Sequence, residues 1–198
     1  MSKRNGEVVR ELTTLPVPLQ MEVRHWRNQE FVRNNMVDNM PISEEQHAAF
    51  LEKLNTDQDR KVFVLFFDEE PAAVMTMKFD REKREIESGS YLIAEDTQGS
   101  GLGVILGYAR MEYIFRAMPD GVMRTFVLQH NQKNDSLQRS FGCEFVREMT
   151  VQKSDGTSEK ANVYRMTREQ WEERKGRISR ADSRLVPIEN ITLTGETL

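Results

Sequence analysis

Apolar residues recur along this chain with two different periods, which separate predicted helices from predicted strands. After Pro16, the residues Leu19, Val23 and Trp26 lie at i, i+4 and i+7, and this spacing predicts an amphipathic helix. Residues 43–46 (SEEQ) have a capping-box pattern ahead of another apolar stripe, which predicts a second helix. We therefore expect two helices before the first strand.

The middle of the chain is rich in β-branched and aromatic residues. The runs 61–67 (KVFVLFF) and 72–79 flank a polar turn, so they predict an antiparallel hairpin. A third strand is expected over 86–93, where residues 88–90 (SGS) interrupt the in-out alternation. Such an interruption indicates either a bulge or a splayed segment.

Five further elements follow the segment 98–103 (QGSGLG). They are a helix from Leu102, a strand over 122–128, a short polar helix over 131–141, a hairpin of 143–151 with 160–166, and a helix after Thr167. Together these elements predict an α/β fold with a mixed, mostly antiparallel central sheet flanked by helices.

Length and composition suit one globular domain. Of the 198 residues, 38% are hydrophobic and 30% are charged. We expect a flexible N-terminus over 1–16, one domain over 17–176 and a polar tail over 177–198. The tail suits either disorder or addition of a strand to a partner, and with the last helix it is a candidate homodimer contact.

Several classes of protein are excluded by what the sequence lacks. No apolar run is long enough to cross a bilayer, and the N-terminal residues lack the apolar core of a signal peptide, so we expect a cytoplasmic protein without a membrane partner. The single Cys143 cannot form an internal disulfide, and the three histidines show no metal-ligand spacing. A net charge of −4 argues against a nucleic-acid partner.

The glycine-containing segment carries the most specific chemistry. Gly99, Gly101 and Gly103 occupy alternate positions between a strand and a helix, where exposed backbone N–H groups can cradle a phosphate. The dinucleotide pattern G-x-G-x-x-G fails because Val104 and Leu106 occupy the positions that require the third glycine, and the Gly-Lys of a Walker loop is missing. A strand-to-helix turn that merely needs glycine is the alternative.

Gln98, Gly101 and Gly103 form a Q-x-x-G-x-G pattern that resembles the pyrophosphate-binding motif of GCN5-related N-acetyltransferases (GNAT superfamily). The order of elements over about residues 18–166, the segment 87–93 (ESGSYLI) and the eleven-residue spacing from Asn131 to Gly142 are similar to that superfamily as well. The resemblance implies a sheet splayed at its fourth strand. It also implies direct transfer of acetyl from acetyl-CoA, the cosubstrate, to a primary amine.

The resemblance also assigns residues to acetyl-CoA. It implies that the amides of Leu92 and Ile93 hold the thioester carbonyl and the pantetheine arm. The remaining predicted contacts with the cosubstrate are Gln98, Gly99, Ser100, Gly101, Leu102, Gly103 and Asn131. Most of these contacts would be made by backbone groups.

Two residues are candidates for the general base. Glu87 is the first choice, acting directly or through water, and a solvent-facing strand residue is its alternative interpretation. His130 is the second choice, against a packing or surface role. Many relatives carry a tyrosine acid where this chain has Gln138, but a thiol with a pKa near about 8.5 can leave as thiolate. We interpret Cys143 as core packing rather than as a nucleophile.

The N-terminal helical pair resembles a narrower subgroup, through 26–28 (WRN), 32–33 (VR), Met36, 42–47 (ISEEQH) and Phe50. These are bacterial acetyltransferases that modify the 4-amino group of a UDP-linked amino sugar on the route to pseudaminic acid. The resemblance implies a small-molecule amine, a nucleotide sugar, as acceptor. The predicted contacts with the acceptor are Trp26, Arg27, Met36, Phe50 and Tyr91.

Other interpretations stay open at this point. Apolar residues at helical spacing are usually core, and arginines are usually solvated. Ribosomal-protein N-acetyltransferases carry a similar Trp-Arg-Asn opening, so a protein N-terminus is the alternative acceptor. A non-catalytic acyl-CoA-binding module is the alternative of another class.

Overall fold

The strand-forming segments of the sequence are collected in one mixed sheet, and helices cover both of its faces. The computed structural model describes residues 8–67, 69–95, 100–181 and 192–194. Its strands are β1 (Val8–Glu11), β2 (Arg60–Phe67), β3 (Glu70–Asp80), β4 (Glu85–Leu92), β5 (Val122–Leu128), β6 (Glu144–Gln152), β7 (Ser158–Thr167) and β8 (Thr192–Thr194). Its helices are α1 (Val17–Asn28), α2 (Glu30–Arg33), α3 (Glu44–Leu54), α4 (Leu102–Ala117), α5 (Gln132–Phe141) and α6 (Arg168–Ala181).

The strands are ordered β6-β7-β5-β4-β3-β2-β1-β8, and most neighbours run antiparallel. The exception at the centre is the parallel pair of β4 and β5, which is bonded only from Glu85 to Glu87 against Val122 to Arg124. Beyond that point the two strands separate. The predicted fold class, including the sheet splayed at the fourth strand, is confirmed.

The interruption at residues 88–90 is therefore a splay and not a bulge against β3. β4 pairs with β3 in continuous register from Glu85 to Leu92, without a shift at Ser88, Gly89 or Ser90. The irregularity lies on the other edge of β4, where β5 leaves it. One edge of β4 is thus bonded throughout and the other is open over its second half.

Helix boundaries follow the predicted caps. The Ser43 hydroxyl accepts from the Gln46 amide at 3.2 Å, and the Gln46 side chain accepts from the Ser43 amide at 2.8 Å, so the capping box of α3 is complete. Thr167 and Gln170 make the same reciprocal pair at the start of α6. The capping box predicted at residues 43–46 is confirmed, and α6 begins after Thr167 as expected.

Two hydrophobic clusters occupy opposite faces of the sheet. The larger holds α4 and α6 against the sheet through residues such as Ile105, Tyr113 and Trp171. The smaller holds α1 and α3 through residues such as Trp26 and Leu51. We call the corresponding parts of the molecule the α4 side and the α1–α3 side.

Two predictions about the chain termini require correction. Residues 8–14 of the segment expected to be flexible form β1 and a short 3-10 helix (Leu12–Thr14), because Val9 and Leu12 are fully buried and Val9 pairs with Leu65 of β2. One strand therefore precedes the two predicted helices. In the C-terminal tail, β8 pairs in parallel with β1 of the same chain rather than with a partner.

Candidate active site

A cleft of about 1440 Å³ opens where β4 and β5 separate. Gly101 and Gly103 line it on the α4 side, and Arg27 and Phe50 line it on the α1–α3 side. Pockets for a single small ligand usually measure about 300 to 1000 Å³. The cleft therefore has room for two molecules that meet across the sheet.

The turn into α4 forms one boundary of this cleft. Gly101 has a φ of 90° and is the N-cap of α4, and its carbonyl accepts from the amides of Val104 at 2.9 Å and Ile105 at 3.3 Å. A side chain is disfavoured at this left-handed position, so the turn needs its glycine. The N-terminus of α4 adds partial positive charge, which suits a phosphate.

The structure describes some, but not all, of the other residues predicted to contact acetyl-CoA. Gln98 and Gly99 lie outside the described residues. The Ser100 hydroxyl accepts from the amide of Leu102 at 3.3 Å, and the Leu102 side chain belongs to the core. The side chain of Asn131 caps α5 by accepting from the amide of Asn134 at 3.2 Å, and Asn131 lines the cleft.

The pairing of β4 with β3 contradicts the predicted contact of the Ile93 amide with acetyl-CoA. The Ile93 amide donates to the Ala72 carbonyl at 3.1 Å, so it points towards β3 and away from the cleft. Because successive amides of a strand point to alternate edges, the amides of Leu92 and Ser90 face the edge that β5 leaves. Sequence reasoning missed Ser90 because the direction of an amide depends on the register with a neighbouring strand.

The two candidates for the general base lie in different places. Glu87 lines the cleft at the last residue pair before β4 and β5 separate. His130 is exposed and is not part of the cleft lining. Its Nδ1 contacts Glu159, and its Nε2 lies 3.2 Å from the Asn35 Oδ1. Although partial burial raises the pKa of Glu159, the contacts with His130 and Lys153 outweigh burial and lower that pKa.

Four of the five predicted acceptor contacts line the cleft: Arg27, Met36, Phe50 and Tyr91. Trp26 does not. It is 8% exposed and packs in the smaller core cluster, because the i, i+4, i+7 stripe of α1 faces the sheet. The structure therefore corrects the assignment of Trp26 to the acceptor.

Arg27 and Tyr91 are partly withdrawn from water on the α1–α3 side. The Arg27 Nη2 donates to the carbonyl of Asp38, while its Nη1 is buried without a partner among the described residues. Burial lowers the pKa of Arg27, although Tyr91 and Asp38 oppose the shift. Burial raises the pKa of the Tyr91 phenol, which is therefore neutral at physiological pH.

Basic side chains outnumber acidic ones in the cleft lining. The basic residues are Arg27, Arg60, Lys78, Arg110 and Lys133, and the acidic residues are Asp38 and Glu87. This excess is notable in a chain whose net charge is −4. Sequence reasoning identified one of these cations, Arg27, because the others come from separate strands and helices and share no local pattern.

Loop 34–39, between α2 and α3, bridges to the turn of the β6–β7 hairpin. Ser154 donates from its hydroxyl to Asp38 at 2.8 Å and from its amide to the Val37 carbonyl at 3.0 Å. Asn39 and Asp155 exchange two further hydrogen bonds, at 2.6 and 3.1 Å. Because β7 belongs to the half of the sheet beyond the split, this bridge joins the α1–α3 side to that half, and residues 35–38 of the loop line the cleft.

Gln138, which stands where many members of the superfamily carry a tyrosine, lies in a buried polar group on the α4 side. Its Oε1 accepts from the Arg110 Nη2 at 3.4 Å and from the Cys143 Sγ at 3.6 Å. Burial raises the pKa of the Cys143 thiol to about 11, so Cys143 is a neutral core residue near physiological pH.

In the described ranges of the chain, no set of three or more His, Cys, Asp and Glu side chains is grouped as a metal ion would require. Nor does any helix in those ranges have the length and apolar character that crossing a bilayer demands.

Comparisons with known proteins agree with this architecture. No family model matches the chain. Acetyltransferase PseH of Campylobacter jejuni subsp. jejuni is 28% identical over 108 residues, which cover 54% of this chain and 66% of that protein. The match thus spans slightly less than two thirds of the relative's length.

Solved structures share the fold at low sequence identity. The C. jejuni N-acetyltransferase PseH in complex with acetyl coenzyme A matches with a TM-score of 0.61 and 20% identity, over 81% of this chain and 98% of that one. Spermidine N-acetyltransferase from Vibrio cholerae, in complex with CoA and spermine, matches with a TM-score of 0.74 and 14% identity, over 83% and 97%. The ribosomal L7/L12 α-N-protein acetyltransferase RimL matches with a TM-score of 0.63 and 16% identity, over 76% and 88%.

The resemblance predicted from the glycine loop and the order of elements is therefore confirmed. The chain has the fold of the GCN5-related N-acetyltransferase superfamily, and the three relatives named above, PseH among them, are acetyltransferases.

Proposed function

We propose that this chain is an acetyl-CoA-dependent N-acetyltransferase that transfers acetyl directly to the 4-amino group of a UDP-linked amino sugar. The observation that carries the proposal is the cleft through the splayed sheet. It has a glycine turn on the α4 side, and the cations Arg27 and Arg60 on the α1–α3 side.

The α4 side fits acetyl-CoA. The left-handed turn at Gly101 and the N-terminus of α4 suit a pyrophosphate, since they offer backbone donors and leave space where a Cβ would stand. The amides of Ser90 and Leu92 lie on the open edge of β4. They suit the amide and thioester carbonyls of a pantetheine arm that lies where a paired strand would otherwise be.

The position of Glu87 in the cleft lining supports its assignment as the base. Side chains of a strand alternate between faces, and Tyr91 contacts the α1–α3 cluster, so Glu87 projects to that same side. The acceptor nitrogen attacks the thioester carbonyl, a C–N bond forms and the C–S bond breaks. Glu87, directly or through water, takes the proton that the nitrogen loses.

The charge of the cleft favours an anionic acceptor. Arg27, with a buried and unpartnered Nη1 among the described residues, is suited to the phosphates of a nucleotide sugar. Phe50 and Tyr91 offer aromatic surfaces for a uracil ring or a deoxysugar methyl. A polyamine would meet an excess of like charge here, so we do not expect a polyamine acceptor.

The bridge from loop 34–39 to Ser154 and Asp155 also favours a nucleotide sugar as the acceptor. It ties residues 35–38, which line the cleft, to the β6–β7 turn and so fixes one wall of the cleft. A nucleotide sugar ends inside a pocket, whereas a protein substrate needs an open groove for the chain that follows its N-terminus. A protein N-terminus is therefore the second candidate acceptor.

The test is CoA release from acetyl-CoA with a panel of acceptors. The panel contains a UDP-4-amino sugar, ribosomal-protein N-terminal peptides, polyamines and aminoglycosides, with an acceptor-free reaction to subtract hydrolysis. We expect turnover with the nucleotide sugar and none above background with polyamines. Turnover with peptides alone would replace the sugar by a protein N-terminus, and CoA binding without any turnover would identify a binding module.

A further inference from the structure

Arg110, on the third turn of α4, is a buried cation that has no counter-ion among the described residues. It is 3% exposed and lines the cleft. Its Nη2 donates to the Gln138 amide at 3.4 Å, and its Nε has no partner among the described residues. Cys143 does not balance the charge, because burial raises the pKa of its thiol to about 11 and keeps it neutral.

A buried charge at this position lowers the stability of the folded protein unless an anion compensates it. Removing an ion from water costs several kcal/mol, and a partner of opposite charge is the usual compensation. The described residues provide only neutral contacts for Arg110, and burial lowers its pKa. The cleft that Arg110 lines is therefore where a compensating anion can arrive.

The phosphates that would bind at the glycine turn are too far away to be this anion. Arg110 follows Gly101 by nine residues, which corresponds to about 14 Å along the helix. A pantetheine arm has the backbone length of roughly four residues, or about 14 Å when extended. If the arm follows α4 from the turn, its sulfur reaches the level of Arg110.

Two further observations indicate the same location. Ser88 is the first residue of β4 beyond its last pair with β5, and its buried hydroxyl also has no partner among the described residues. By alternation from Glu87, Ser88 faces the α4 side, as Arg110 does. The amide of Gln138, which holds Arg110, cannot supply a proton to a leaving group.

We propose that Arg110 stabilises the thiolate that leaves when the thioester is cleaved. This inference rests on the proposed acetyl transfer. The amine nitrogen forms its bond to the carbonyl carbon, the C–S electron pair stays on sulfur, and the guanidinium balances the negative charge. The amine proton leaves through Glu87 or water, so sulfur needs no proton from the enzyme.

The experiment measures the pKa of the thiol of bound CoA. The ultraviolet absorbance of the thiolate is followed against pH, and a parallel titration with desulfo-CoA is subtracted to remove Cys143 and the tyrosines. We expect the bound thiol pKa in the wild-type protein to be lower than in R110Q by at least about one unit, because a nearby cation favours the anion. R110K should retain part of the shift.

Kinetics and matched controls complete the test. R110Q should lower kcat about 100-fold with little change in the KM for acetyl-CoA, as loss of one oxyanion donor does. R116Q, which changes an exposed arginine on the same helix, should alter neither quantity. The melting temperature of R110Q should not fall, because the substitution removes an uncompensated buried charge.

The outcomes separate this inference from the proposed function. If CoA binds and acetyl transfer proceeds but the thiol pKa is the same in wild type and R110Q, the role of Arg110 is overturned and the proposed function stands. If CoA does not bind the wild-type protein, both are overturned.

Discussion

The two sides of the cleft present different kinds of chemical group. On the α4 side, Gly101 and the open edge of β4 offer backbone amides whose positions are set by main-chain geometry. On the α1–α3 side, Arg27, Phe50 and Tyr91 offer side chains that come from three separate elements. The main chain thus provides most of the α4 side, and side chains provide most of the other.

This difference predicts how the two sides tolerate substitution. A backbone site is insensitive to most side-chain changes and fails where a residue disturbs the main chain itself. A side-chain site loses its contributions one residue at a time. Each of the following substitutions tests this distinction, beginning with the largest expected effect.

Replacing Gly101 by valine should abolish measurable CoA binding, a loss beyond about 1000-fold in affinity. The φ of 90° is strained for a β-branched residue, and its side chain would stand where the phosphates are expected. Titration calorimetry with CoA measures the affinity. Gly156 is a matched control, since it has a φ of 87° in a hairpin turn with open space around it. G156V should bind CoA normally, and normal binding by G101V would refute the assignment of the turn.

The α4 side was largely predictable from the sequence for the same reason. Glycine is strongly favoured at a left-handed turn, so this main-chain requirement leaves a local pattern, and Gly101 was identified from it. The capping box at Ser43 and Gln46 was equally local. Patterns of this kind located most elements, whereas the splayed sheet was implied by the resemblance to the superfamily.

The remaining features depend on contacts between distant segments. The direction of the Ile93 amide follows from its register with Ala72, which no local pattern encodes. Arg110 resembles any arginine on an amphipathic helix until its burial is known. Trp26 shows the opposite error, because an apolar stripe that faces the core looks the same in sequence as one that faces a ligand.

Replacing Glu87 by glutamine should lower kcat about 100- to 1000-fold, the range for loss of a general base. The amide keeps the size of the side chain and cannot take the proton, so the KM for acetyl-CoA should change little. Initial rates at saturating acceptor measure the effect. H130Q is the comparison, since His130 is paired with Glu159 outside the cleft lining and should keep nearly full activity. The reverse ranking would transfer the base assignment to His130.

Replacing Arg27 by methionine should lower kcat/KM for a UDP-linked acceptor about 10- to 100-fold, as expected for loss of charged hydrogen bonds. CoA affinity should stay unchanged, because Arg27 lies on the α1–α3 side. Steady-state kinetics with each substrate varied in turn measure both effects. R24M changes an arginine on the same helix that pairs with Glu44 at 3.9 Å and is not part of the cleft lining. Equal losses in the two variants would indicate damage to α1 and not to an acceptor contact.

The smallest expected effect comes from weakening the bridge between loop 34–39 and the turn of the β6–β7 hairpin. D155A removes the carboxylate that accepts from Asn39, and loop 34–39 includes Asp38, whose carbonyl holds Arg27. Loosening this loop should raise the KM for the acceptor about 3- to 5-fold, within the range for an exposed polar contact, and leave the KM for acetyl-CoA unchanged. D120A, which breaks an exposed ion pair with Arg84, is the control and should change neither.

The pH dependence of the bridge separates its structural role from catalysis. Hydrogen bonds from Thr157 and Asn39 lower the pKa of Asp155 to about 2. In the unfolded chain the pKa of this carboxyl is about 3.9. A lowered pKa means that Asp155 contributes stability above the unfolded value and loses that contribution as pH falls through about 2. The ratio of acceptor KM between D155A and wild type should therefore be constant across neutral and mildly acidic pH. A ratio that changed there would mean that a titrating group other than Asp155 holds loop 34–39.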